Sequence, residues 1–195
     1  MNSIEVSGRV LNKYKQIARC VAERVLIEMN QPECLEVAIE FVSEKEIQRL
    51  NNELRGIDRV TDVLSFPSTN LKVGELFDLN DAEMKFLMLD ENLYHFGDMA
   101  ICFKQTERQA KEFGVAVEQE IKKLVIHSML HLMGYDHIDD GDFEIMKKKE
   151  EELDSLIKIW GGKKWLLNQD LLQLLENQMW EKVRLLMNLL EKKFQ

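Results

Sequence analysis

The chain has 195 residues, 45% hydrophobic and 31% charged, a balance that suits one ordinary globular domain and argues against a disordered chain. With 26 Lys+Arg against 35 Asp+Glu, its net charge of −9 disfavours a protein wrapped in duplex DNA, which needs a broad basic face. Cys20, Cys34 and Cys102 form no C-x-x-C pair, and no stretch resembles a signal peptide or the ~20 apolar residues of a membrane span, so the expectation is a soluble, cytoplasmic protein without a disulfide framework.

In chain order, Val10, Tyr14, Ile17, Val21, Val25 and Met29 recur at helical spacing, and Pro32 closes that helix. Leu35 to Val42 alternates apolar and acidic side chains, as a strand with one buried face does. Ser43 with Glu46 three residues on fits a capping box, which predicts a helix over 44–54. Asp62 to Phe66 reads as a short strand stopped by Pro67. Residues 72–95, with six acids against two lysines, read as an acidic excursion between strands holding one short helix. A strand is expected over Asp98–Phe103 and a helix over 105–113 that ends at Gly114. Further helices are expected over 117–133, ended by Gly134, and over 141–157. Beyond Lys158 the character changes. Trp160 to Trp165 is a break, and Leu171, Leu175, Met179, Val183, Leu186 and Leu190 form one stripe of a helix over 169–193. The expected organisation is therefore a domain over 1–157 and a helical extension over 158–195. The extension suits either docking on its own core or a partner.

The chemistry concentrates in three of the four histidines, His127, His131 and His137. His127 and His131 stand four apart on a helix, so both imidazoles leave one face about 6 Å apart along the axis. Gly134 permits a left-handed backbone and a sharp reversal that can return His137 to the same ion. Three neutral nitrogens leave a fourth tetrahedral position for water, the open arrangement of a catalytic zinc site. The spacing H-x-x-x-H-x-x-G-x-x-H is also that of metzincin proteases, but those carry Glu after the first histidine as general base, and this chain has Ser128. One of Asp136, Asp139 and Asp140 is placed to orient a ligand imidazole through its second nitrogen; turn-forming or solvated roles fit them equally. Tyr135 reads as a packing residue.

Arg55 stands where a helix ends in Gly56. It either complements the helix dipole or clamps a phosphate opposite the metal. Arg55, Thr61 to Pro67, Gly97 to Ile101 and the His127-Ser-Met-Leu-His-Leu-Met-Gly-Tyr-Asp-His137 run together resemble the YbeY family of bacterial single-strand-specific endoribonucleases. Those enzymes act in ribosomal RNA maturation and small-subunit quality control. The resemblance spans about Leu35 to Ile157. It implies an α+β fold with a small mixed sheet packed by five to six helices. It also implies one zinc ion held by His127, His131 and His137, with Arg55 as the active-site arginine. The segment between Pro67 and Gly97 is longer and more acidic than the family pattern, and the tail beyond Trp160 extends past its end.

The expected function is a zinc-dependent endoribonuclease that cuts single-stranded RNA and matures the 3′ end of small-subunit rRNA. Its partners would be rRNA and the small ribosomal subunit or its assembly factors. Zinc would bring its bound water's pKa towards ~7. The attacking group is either that hydroxide or a ribose 2′-hydroxyl. Lys104, Arg108 and Lys111 are candidate RNA contacts, with a solvated helix face as the plainer role. Two rivals remain: a metalloprotease-like hydrolase, weakened by Ser128, and a ribosome assembly factor whose zinc is structural and which the acidic charge suits.

Overall fold

The computed structural model describes residues 2–82, 84–90, 93–137 and 139–158. The elements run β1 (Ser3–Gly8), α1 (Asn12–Glu28), β2 (Leu35–Val42), α2 (Glu44–Arg55), β3 (Val63–Pro67), a 3₁₀ turn (Met84–Leu87), β4 (Met88–Asp90), β5 (Leu93–Cys102), α3 (Phe103–Phe113), α4 (Val117–Leu132) and α5 (Asp140–Leu156). The strands form one mixed sheet in the order β1-β2-β5-β3, with β4 pairing β5. β1, β2 and β5 are parallel; β3 and β4 run antiparallel to β5. This is the expected α+β class with a small mixed sheet. The helix expected over 169–193 lies outside the described residues.

Alternation along the strands assigns the two faces of the sheet. Val37, Ile39 and Phe41 of β2 sit opposite Gly97, Met99 and Ile101 of β5, and the five residues with side chains are buried. This is the α4 face, because a Cβ at Gly97 would lie 2.9 Å from the Leu132 side chain. Leu64 and Cys102 point the other way, into a smaller cluster with Ile47 of α2. α4 is therefore a central helix, its Ile121, Val125, Ile126, Met129, Leu130 and Leu132 fully enclosed between the sheet, α1 and α5.

Local signals explain most boundaries. Ser43 Oγ accepts a hydrogen bond from Glu46 N at 3.2 Å and starts α2, while the Glu46 carboxylate turns to Arg49. β1 is not expected from the pattern. Ile4 and Val6 alternate with polar residues, and pairing with Val37 and Ile39 of β2 makes this short segment a strand. β5 also begins earlier than expected, at Leu93, because pairing with β2 and β4 extends it through Tyr94 and His95. The acidic excursion contains the 3₁₀ turn and β4, so a short strand joins the expected short helix.

Candidate metal centre

α4 delivers the first two histidines and the turn after it delivers the third. Gly134 has φ +80°, and a Cβ there would meet the Leu71 carbonyl oxygen at 1.8 Å. Only glycine lets the chain reverse here while the segment through Leu71 passes against it. Beyond the turn, His137 comes back beside α4. One ring nitrogen from each of His127, His131 and His137 lies within 4.8 Å of the other two. The ring centroids are 4.6 Å apart for His127–His131, 5.7 Å for His127–His137 and 5.1 Å for His131–His137. The expected cluster is therefore assembled.

The outward-facing nitrogens fix which atoms are available to an ion. His131 Nδ1 lies 2.9 Å from the Tyr135 carbonyl oxygen, and His127 Nδ1 lies 2.6 Å from Glu150 Oε1. A carbonyl and a carboxylate only accept, so each Nδ1 donates its hydrogen and each Nε2 keeps a lone pair. Those two Nε2 atoms face each other at 3.1 Å. Two bare lone pairs so close repel unless something positive lies between them. Tetrahedral ligands ~2.0–2.1 Å from zinc stand about 3.4 Å apart, so the donor set fits such an ion with a small adjustment. Burial pushes the His131 imidazole down from 6.5 to about 4, with neighbouring His127 adding to the effect, so this ring is neutral near pH 7.

Most of the neighbouring side chains take the plainer of the roles expected for them. Asp136 takes the turn-forming alternative: its Oδ1 accepts the backbone N–H of His137 at 2.7 Å and braces the turn. The orienting acid is Glu150 of α5, which the sequence reading missed; a carboxylate 23 positions from its histidine on a highly charged helix carries no local signal. Tyr135 is buried, as a packing residue should be, and also contributes its carbonyl to His131. Ser128 is fully buried and its Oγ lies 3.0 Å from Ser65 Oγ of β3. One residue turns a helix by about 100°, which aims Ser128 into the sheet and away from the histidines. Arg55 is the exposed last residue of α2, and its side chain makes no hydrogen bond or ion pair among the described residues. Arg108 and Lys104 both reach Glu44, at 2.6 and 3.7 Å, and so tie α3 to α2. Lys111 is exposed.

Residues 3–158 match the family described as endoribonuclease YbeY. The chain is 35% identical over 156 residues to the endoribonuclease YbeY of Clostridium botulinum (strain Kyoto / Type A2), covering 78% of this chain and 90% of that protein. It is 34% identical over 163 residues to that of Clostridium beijerinckii, covering 83% and 95%. The solution structure of TM1509 from Thermotoga maritima is 31% identical, covering 78% of this chain and 89% of the other, with a TM-score of 0.45. No described helix is long and apolar enough to cross a membrane. With a family match across residues 3–158 and close agreement with curated members over most of their length, this chain belongs to the YbeY endoribonuclease family.

Proposed function

We propose that this chain is a metal-dependent endoribonuclease that cuts single-stranded RNA, with zinc as its ion. Its substrate is ribosomal RNA, where it matures the 3′ end of the small-subunit rRNA and takes part in ribosome quality control in the cytoplasm, in contact with the small subunit or its assembly factors. The observation that carries the reading is the pair of Nε2 lone pairs converging at 3.1 Å, with His137 beside them, in a chain of this family.

His127, His131 and His137 would hold the ion through ring nitrogens. Bound zinc would supply Lewis acidity and a deprotonated water at neutral pH. Glu150 and the Tyr135 carbonyl keep a hydrogen on each Nδ1, so that Nε2 of His127 and His131 stays free to ligate. Glu150 is engaged on the far side of the His127 ring from Nε2 and does not act as a peptidase-type base. Arg55, exposed and without a side-chain partner among the described residues, is available to clamp a phosphate and to balance charge that develops on it. With Ser128 enclosed against β3, the metalloprotease reading has no general base at that position.

The test combines metal analysis of the purified protein with cleavage of single-stranded RNA, with and without chelator, for wild type, His131→Ala and Arg55→Ala. Near-stoichiometric metal is expected, with cleavage that chelation abolishes and that both substitutions lower at least about 100-fold. Equal cleavage by all three proteins would remove the assignment. Full metal content with no cleavage would leave the assembly factor, which the net charge of −9 favours.

A further inference from the structure

His127 and His137 also form part of the wall of a groove of about 780 Å³ between α4 and α5. Phe113, at the end of α3, and Phe143, in the first turn of α5, line the same groove and remain 55% and 47% exposed. Two phenylalanines left half in water on one cleft mark a surface for a ligand with flat apolar faces. Each ring also sits under an ammonium. Lys123 Nζ is 5.4 Å from the centroid of Phe113, and Lys147 Nζ is 5.9 Å from that of Phe143. Neither ammonium lies within ion-pair distance of a carboxylate among the described residues.

Much of the negative charge in the groove is already engaged. Glu150 is held by His127, and Asp154 pairs with Lys122 at 2.8 Å. Burial raises the pKa of the Glu120 carboxyl and the Lys123 ammonium opposes that shift, while Glu151 stays exposed. What the groove offers a ligand is two half-exposed rings with a lysine beside each, next to the Glu120 and Glu151 carboxylates and continuous with the candidate metal centre. A nucleic acid strand offers the matching set, a base with a flat face and a phosphate at every step. A peptide would cover the rings but brings no repeating anion for the lysines.

We propose that this groove is a base-stacking subsite for single-stranded RNA, in which unpaired bases lie on Phe113 and Phe143 while Lys123 and Lys147 hold neighbouring phosphates. The inference rests on the nuclease reading and deepens it. It gives selection against duplexes a physical cause, because a paired base keeps its faces inside the stack and has none to offer a phenylalanine.

The experiment uses the full metal-loaded chain and one fluorescein-labelled, single-stranded oligoribonucleotide. Cleavage kinetics and fluorescence anisotropy are read for wild type, the double variant Phe113→Ala/Phe143→Ala, the double variant Lys123→Gln/Lys147→Gln, and Phe86→Ala as an exposed phenylalanine outside the groove. The phenylalanine pair should raise KM by about ten-fold or more while kcat stays within about two-fold. The lysine pair should weaken binding and flatten its salt dependence. Phe86→Ala should match wild type, and the phenylalanine pair should lower the melting temperature only modestly, since about half of each ring is exposed. If wild type cleaves RNA and the phenylalanine variant keeps its KM, the subsite is wrong and the nuclease reading stands. If wild type cleaves nothing, the nuclease reading falls. Anisotropy then still decides the groove: binding lost in the phenylalanine variant supports it, and unchanged binding overturns it. Stronger binding of a peptide library than of RNA, lost in the same variant, would replace the strand with a peptide.

Discussion

Glu150 Oε1 lies 2.6 Å from His127 Nδ1, so a carboxylate on α5 holds the ring that α4 presents 23 positions earlier in the chain. One turn further along α5, Asp154 takes the ammonium of the buried Lys122 through both its carbonyl and its carboxylate. These two contacts fasten α5 along α4. They join the geometry of the metal centre to the packing of a helix that supplies no ligand itself.

Glu150→Gln keeps the side chain's bulk and removes its charge. Loss of a carboxylate behind a ligand histidine typically weakens metal binding about 10–100-fold. That drop is expected in competition with a chromophoric chelator, with the melting temperature of the metal-free protein little changed. Unaltered affinity would mean that the contact contributes nothing to the site.

Ser128→Ala separates a structural serine from a catalytic one. Its hydroxyl meets Ser65 in the packing between α4 and the sheet, so the loss should cost about 1 kcal/mol in chemical denaturation. Metal content and RNA cleavage should both persist. A loss of cleavage with metal retained would contradict the orientation described above.

Two glycines with left-handed backbones give a controlled comparison. Gly134 has φ +80° and a carbonyl oxygen where its Cβ would be, whereas Gly114 has φ +67° and open space. Gly114→Ala should cost about 1–2 kcal/mol, the left-handed penalty alone. Gly134→Ala adds an overlap that backbone must move to relieve, for about 3 kcal/mol or more in total. It should also loosen metal binding, because the turn places His137. Thermal melts and metal titrations of the two variants check this, and equal costs would show that the passage of Leu71 does not constrain the turn.

The low pKa of His131 gives the metal-free protein a defined acid response. The folded state holds this ring neutral down to about pH 4, while the unfolded chain takes up its proton below the ordinary 6.5. The stability tied to this group is therefore intact above about pH 6.5 and is lost as pH falls towards 4. Urea midpoints of chelator-treated protein should decline across that window, and His131→Ala should decline less. Identical slopes for the two proteins would refute the buried neutral imidazole.

The histidine cluster was legible because its geometry is local. The helical repeat puts His127 and His131 on one face whatever surrounds them, and a glycine three residues after His131 is enough to turn His137 back. The same holds for Ser43 at the start of α2 and for the alternation in β2, each read within a few residues. Tertiary structure decided what depends on packing. Ile4 and Val6 became a strand only because β2 offered an edge. Asp136, the acid nearest the ligands in sequence, turned to its own backbone, and Glu150 reached His127 from another helix. The phenylalanine-lined groove likewise arises from helices that meet only in the fold. Which distant side chains touch is set by how whole elements pack, and short-range spacing along the chain carries no record of it.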